Sequence, residues 1–242
     1  MIKNIIFDLY GTLVDIHTDE MKDSVWETMS WFYRLHQVNV SPKKLRKRTF
    51  QLMHQMEHQM KRELGKDRIP EIDLTSVFKT LFDEQGILCD EELARETCVF
   101  FRALTLERLR LYNGVTELLE KLRKSGKNIY LLTNAQKVFT EKEIQTLGLS
   151  SYFDGILYSS TERVKKPDCK FFERLMERYQ LKAEECVMIG NDAVCDVGGA
   201  LNAKMKAIYL KSNIRGSGKC PDSVRQFKIT DLDELAEVLS KG

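Results

Sequence analysis

The chain has 242 residues, 43% of them hydrophobic and 12 of them Phe, enough for one full core plus an inserted or appended module. Lys and Arg number 38 against 36 Asp and Glu, a net +2, and that near balance makes no electrostatic case for nucleic acid or a membrane surface as partner. No run of 18 apolar residues occurs, and the N-terminus enters a strand-like run without a basic-apolar-small leader pattern, so the expectation is a cytoplasmic protein. The six Cys are scattered without a C-x-x-C pair and read as reduced thiols.

The stretch Ile5-Ile6-Phe7-Asp8-Leu9-Tyr10-Gly11-Thr12-Leu13 starts as an apolar strand and breaks at Asp8, then at Gly11-Thr12. Asp8 is thereby expected at the carboxyl end of a strand, where open α/β sheets bind ligands. Residues 14–20 read as a short polar loop. A helix over 21–37 follows from Val25, Met29, Phe32 and His36 at helical spacing. Ser41 as N-cap and Pro42 at the first position open a second helix, stopped near Leu64 by Gly65. Residues 66–70 form a polar loop, and two more helices follow, over about 73–85 and 90–109.

At Leu111 the pattern changes to alternation. A helix over 115–124 precedes a strand at 128–132 that ends in Thr133-Asn134. A helix over 137–147 leads to a strand at 153–159, then Lys165-Lys166-Pro167-Asp168 opens a helix over 169–180. The strand 186–190 ends in Asn191-Asp192, with Asp196 one turn further on. A helix over 193–203, strands at 205–210 and 227–229, and a helix over 231–240 complete the chain. Residues 1–16 and 110–242 therefore read as one α/β unit, a Rossmann-like doubly wound parallel sheet. Residues 17–109 are an all-helical insertion that leaves and rejoins the carboxyl edge of the sheet, where it can act as a lid.

Four strand ends then deliver Asp8 with Thr12, Thr133 with Asn134, Lys166, and Asp192 with Asp196 to one place. Each alone has an ordinary structural role, as a turn residue, a cap or a surface charge. Together, at successive strand ends, they are hard to explain by packing. FDLYGTL (7–13), LLTNA (131–135), KKPD (165–168) and IGNDAVCD (189–196) resemble, in order, the motifs of the haloacid dehalogenase superfamily of hydrolases. The helical insertion sits where that family carries its first type of cap domain.

The resemblance implies a nucleophilic Asp8 and a covalent aspartyl intermediate. For a phosphoryl substrate it implies Lys166 and Mg²⁺ as charge neutralisers. Asp8, the main-chain carbonyl of Tyr10, Asp192 and Asp196 are the implied metal donors. Thr12, Thr133, Asn134 and Lys166 would hold the substrate. The implied partner is a small phosphorylated metabolite, with neither nucleic acid nor membrane; the sequence leaves the oligomeric state open, with a monomer slightly favoured.

Two positions depart from the family pattern. Its phosphatases carry a second Asp where this chain has Tyr10, and a phenol is a poor base at neutral pH. Asn191 stands where many relatives have the first acid of the last motif. Tyr10 resembles the metal-free branch that cleaves 2-haloacids, whereas the retained Asp192 and Asp196 argue for Mg²⁺ and phosphoryl transfer. The alternatives to a Mg²⁺-dependent phosphatase are thus a 2-haloacid dehalogenase and a weakly catalytic metabolite-binding scaffold. His54 and His58, four apart, read as a polar helix face; Met53, Met56 and Met60 read as core or lid packing; the basic cluster at 43–48 reads as a solvated face.

Overall fold

In the computed structural model, which describes residues 1–65 and 67–241, the elements run in the following order. The first half holds β1 (Asn4–Phe7), β2 (Val14–Thr18), α1 (Asp23–Leu35), α2 (Pro42–Leu64), α3 (Leu74–Asp83), α4 (Glu91–Thr105) and β3 (Leu106–Leu111). The second holds α5 (Val115–Lys124), β4 (Asn128–Thr133), α6 (Lys137–Thr146), β5 (Gly155–Tyr158), α7 (Ser159–Glu162), α8 (Cys169–Tyr179), β6 (Cys186–Gly190), α9 (Gly199–Asn202), β7 (Lys206–Lys211), β8 (Arg225–Lys228) and α10 (Leu232–Lys241).

Six strands pair in the order β5-β4-β1-β6-β7-β8, all in parallel. The central strands β1, β4 and β6 are buried almost throughout because both faces of the sheet are covered there. Ile5 and Phe7 of β1, Ile129 and Leu131 of β4, and Val187 and Ile189 of β6 point to one face, packed under α5 and α10. Ile6, Tyr130, Leu132 and Met188 point to the other, against Phe171, Phe172 and Leu175 of α8. That is the doubly wound arrangement expected from the sequence. The register sets Phe7, the last residue of β1, beside Leu131 and Ile189, so β4 runs on to Thr133 and β6 to Gly190 just past it, and all three strands end at the same carboxyl edge.

Helices α1 to α4 close around a core of their own, in which Trp26, Tyr33, Phe78 and Phe82 are the largest buried side chains. The Tyr33 and Phe82 rings stack with centroids 4.3 Å apart. Sequence caps start two of these helices: Asp73 accepts from the Thr75 N–H at 3.0 Å and Asp90 from the Leu93 N–H at 2.8 Å.

Three readings of the sequence need correction. The polar loop over 14–20 is in part strand β2, and the helix expected to reach residue 109 ends at Thr105, where β3 begins. The two segments pair antiparallel, with Ile16 opposite Leu109, and form a ribbon joining the helical unit to the sheet. Asp15 is buried in it between Arg108 and Arg110. Residues 193–203 open as a wide π-type turn over Ala193–Gly198 before α9. The loop read over 66–70 includes Lys66, which lies outside the described residues.

Removing a large buried ring from the helical core leaves a cavity that its neighbours fill only in part. Phe78→Ala is expected to lower unfolding stability by about 3–5 kcal/mol in a denaturant titration.

Candidate active site

Asp8 is the first residue after β1, and its N–H donates to the Ile189 carbonyl at 2.9 Å, which fixes the backbone where the strand ends. The turn that follows needs Gly11: its φ is 81°, and a Cβ there would run into the Asn191 side chain. Thr12 Oγ1 lies 3.4 Å from Asp8 Oδ2 and 3.2 Å from Asn191 Oδ1. Gly190 leaves room for Asp196, whose carboxylate would clash with any Cβ at that position.

Lys166 is the hub. Its ammonium donates to Asp8 Oδ1, Asp196 Oδ1 and the Leu132 carbonyl, each at 2.7 Å, so all three donor positions are filled. Burial alone would depress the Lys166 pKa, but Asp196 and Asp8 outweigh it and hold the ammonium protonated. The two carboxylates share one cation, and the buried cluster carries a net negative charge. Burial pushes the Asp196 carboxyl up to about 7, with Lys166 opposing that rise and Asp8 adding to it. Asn134 holds the loop that carries Lys166: its Oδ1 accepts the Lys166 N–H at 2.8 Å and its Nδ2 donates to the Lys166 carbonyl at 3.0 Å.

Thr133 closes β4 on the wall of the same cleft, a space of about 240 Å³ also lined by Asp8, Asn191, Asp196 and Arg215. The Thr133 hydroxyl is buried and finds no hydrogen-bond partner among the described residues. An orphan hydroxyl beside Asp8 and Lys166 is a place made for a ligand oxygen.

Two of the expected site residues are engaged elsewhere. Asp192 lines the cleft but its carboxylate caps the turn that follows, accepting from the N–H groups of Val194 at 2.9 Å and Cys195 at 2.7 Å and from the Ser217 N–H at 2.8 Å and hydroxyl at 2.6 Å. Burial raises its pKa, but these bonds, the Cys195 N–H foremost, more than offset that and hold the carboxyl below its ordinary value. Tyr10 points its hydroxyl away from Lys166, onto Glu143 and onto Thr140 at 3.0 Å. Burial and the neighbouring Glu143 raise its pKa far above the ordinary phenol value, so Tyr10 does not exchange protons near neutral pH.

Sequence reasoning missed the partners of Tyr10. Arg102 of α4 donates to Glu143 of α6 at 2.6 and 3.2 Å and lies 3.4 Å from the Tyr10 hydroxyl. This buried ion pair pins the helical unit to the sheet unit at the edge of the cleft. A second pin joins Arg68 to Asp168 at 2.8 Å, with the Ile69 N–H on the same carboxylate. Both pairs span distances in sequence at which no local pattern marks them.

The oxygen donors suit a small hard cation. Among the described residues no three His, Cys, Asp or Glu side chains gather around one point. The cleft does offer the carboxylates of Asp8 and Asp196, the Asn191 amide oxygen and the Tyr10 main chain, around an excess of negative charge. Magnesium is commonly held by one or two carboxylates, with water and substrate phosphate completing the octahedron.

A family model described as haloacid dehalogenase-like hydrolase matches residues 2–204. The chain is 30% identical over 139 residues to a glyceraldehyde 3-phosphate phosphatase of Pyrococcus furiosus, across 55% of this chain and 56% of the relative. It thus spans little more than half the length of that curated relative. A HAD phosphatase from Thermococcus onnurineus superposes with a TM-score of 0.61 at 20% identity, covering 98% of both chains. A 2-haloacid dehalogenase from Pseudomonas syringae superposes with a TM-score of 0.65 at 23% identity, covering 100% of this chain and 99% of the other. At such identities the two structures speak for the fold alone.

In cation-free protein, Asp196 takes up its proton in the folded state near pH 7 but in the unfolded chain only near its ordinary value of 3.8. A group whose folded pKa is raised favours folding as pH falls, so its stabilising effect is complete below pH 4 and is lost as pH rises through 7. Asp196→Asn is expected to flatten the stability profile between pH 4 and 7 in urea titrations run in EDTA.

Proposed function

The chain belongs to the haloacid dehalogenase-like hydrolases, and from that premise we propose that it is a phosphatase-type hydrolase of a small phosphorylated metabolite, working through a phospho-Asp8 intermediate with Mg²⁺. The observation that carries the reading is the cluster of Asp8, Lys166 and Asp196 beside the orphan Thr133 hydroxyl. The helical unit is then a cap, and residues 1–16 and 110–242 are the catalytic core.

The chemistry follows from the geometry. Lys166 fixes Oδ1 of Asp8, while Oδ2 has only the long Thr12 contact and keeps lone pairs for attack. Asp8 attacks phosphorus, the bond from phosphorus to the leaving-group oxygen breaks, and its electron pair departs on that oxygen. Thr133 donates to a phosphoryl oxygen. Asn134 positions Lys166, and Asp192 braces the turn that carries Asp196. Water then attacks phosphorus and gives its proton to solvent, the bond to Asp8 breaks with its electron pair returning to the carboxylate, and phosphate is released. Asp8, Asp196, the Asn191 amide oxygen and the Tyr10 carbonyl would hold Mg²⁺, which supplies neutralisation of the charge on the phosphoryl oxygens.

No proton donor of the Asp type faces the leaving group, because Tyr10 occupies that position and is bound to Glu143. Positioned acid catalysis is typically worth about 10²–10⁴-fold, so turnover is slow for esters of ordinary alcohols. The same observation favours a second reading, carbon–halogen cleavage by Asp8, since halide leaves without a proton. A haloacid carboxylate needs a cation of its own, and with Lys166 fully engaged Arg215 is the one cation left on the cleft wall among the described residues.

Wild type is expected to release phosphate from p-nitrophenyl phosphate in Mg²⁺ and to stop in EDTA, with Asp8→Asn inactive under both conditions. Silence in Mg²⁺, together with halide release from 2-chloropropionate in EDTA, would transfer the assignment to the dehalogenase reading. Thr133→Val is expected to raise KM by roughly tenfold or more, the usual cost of removing a hydrogen bond to a charged oxygen.

A further inference from the structure

The loop between β7 and β8 brings a second cation to the catalytic cleft. Ile214, Arg215 and Gly216 line it beside Asp8, Asn191 and Asp192. The loop is braced on both sides of Arg215. Before it, the Ile214 carbonyl accepts from Asn191 Nδ2 at 3.0 Å and from the Ser212 hydroxyl at 3.2 Å, and Asn213 Nδ2 donates to Asp15 of the β2–β3 ribbon at 3.1 Å. After it, Gly216 packs so closely on the main chain of Asn191 and Asp192 that a Cβ there would clash with both. Ser217 then donates its N–H to Asp192 at 2.8 Å and its hydroxyl at 2.6 Å. The bond from Asn191 is one that a carboxylate at that position could not make, having no N–H to give.

The guanidinium on this braced loop has no partner of its own. The carboxylates of the cleft wall are engaged, Asp8 and Asp196 by Lys166, and Asp192 by the turn amides and Ser217. Among the described residues Arg215 makes neither an ion pair nor a side-chain hydrogen bond, and it is exposed. Lys166, by contrast, has all three N–H donors filled and none left for an outlying ligand group. Thr133 ends β4 on one flank of β1, whereas the Arg215 loop packs on Asn191 and Asp192 after β6, on the other flank. A phosphoryl group held over Asp8 by the Thr133 hydroxyl therefore has a free cation on its far side. A planar fork of N–H donors suits a carboxylate through two parallel bonds, and a loop already fixed in place has little ordering left to lose on binding. The cleft, at about 240 Å³, is smaller than the roughly 300–1,000 Å³ of sites for larger ligands, so the ester and the second anion stand only a few bonds apart.

We propose that Arg215 determines specificity at this site, and that the substrate is a small phosphate monoester whose leaving group carries a carboxylate. The ester chemistry rests on the phosphatase reading, while recognition of the carboxylate by Arg215 can be tested without turnover.

The probes are 3-phosphonopropionate, which has no ester bond to hydrolyse, and propylphosphonate, which has a methyl group in place of the carboxylate. Calorimetric titration of wild type in Mg²⁺ is expected to show 3-phosphonopropionate bound about tenfold or more tighter, the order that a hydrogen bond to a charged group contributes. The preference is expected to vanish in Arg215→Gln and to return in part in Arg215→Lys, which restores the charge without the fork. Thermal unfolding checks that both variants fold. In kinetics, the ratio of kcat/KM for phosphoglycolate to that for ethyl phosphate should fall by about tenfold in Arg215→Gln. Absence of the preference in wild type overturns the proposal. So does a preference that survives Arg215→Gln because both phosphonates weaken equally, which would put Arg215 on the phosphoryl group itself. A preference that depends on Arg215, with no phosphate released from any ester, supports the carboxylate site and sinks the phosphatase reading by itself.

Discussion

One ammonium with three acceptors organises this molecule. Lys166 draws Asp8 from β1, Asp196 from the turn after β6 and the carbonyl of Leu132 from β4 onto a single buried point. Such a cluster forms only if the strands that carry it end at the same edge, which the parallel register of β1, β4 and β6 provides. It is also strained electrostatically, because two buried carboxylates share one positive charge, and desolvation makes the imbalance costly. The same imbalance suits the site to a cation. Removal of Lys166 would leave two like charges together out of water, so the residue secures the fold at this edge.

A second buried ion pair sets the relation between the two layers of the protein. Arg102 and Glu143 join α4 to α6, and the Tyr10 hydroxyl completes their hydrogen bonding. Tyr10 therefore has a structural role at a place where related hydrolases keep an acid. The local chemistry changes accordingly. The Tyr10 proton is held by Glu143 and is not available for transfer near neutral pH.

The helical unit repeats this economy of contacts. Its core of Trp26, Tyr33, Phe78 and Phe82 is separate from the two apolar layers that sandwich the sheet. The ribbon of β2 and β3 and the pairs Arg102–Glu143 and Arg68–Asp168 join it to the sheet. Gln136 with Leu74 and Ile72, Glu71 with Ser159, and Lys165 with Glu57 add further polar links between the two units.

Much of this was legible in the chain itself. Continuous apolar runs ending in polar residues marked the central parallel strands, because a strand buried on both faces has no polar side to display, and helical spacing with caps such as Asp73 and Asp90 marked the insertion. Asp8, Thr133, Lys166 and Asp196 were identifiable because strand ends place them in one cleft whatever the loops between them do. The ribbon of β2 and β3 was not, since Val14–Thr18 becomes a strand only when a partner some 90 residues away supplies its hydrogen bonds. Nor could sequence tell that Asp192 faces Ser217 and the turn amides, or that Tyr10 faces Glu143. A residue's position on a strand end follows from local pattern, but the direction its side chain takes depends on which distant donors and acceptors folding brings within about 3 Å, and only the tertiary structure decides that.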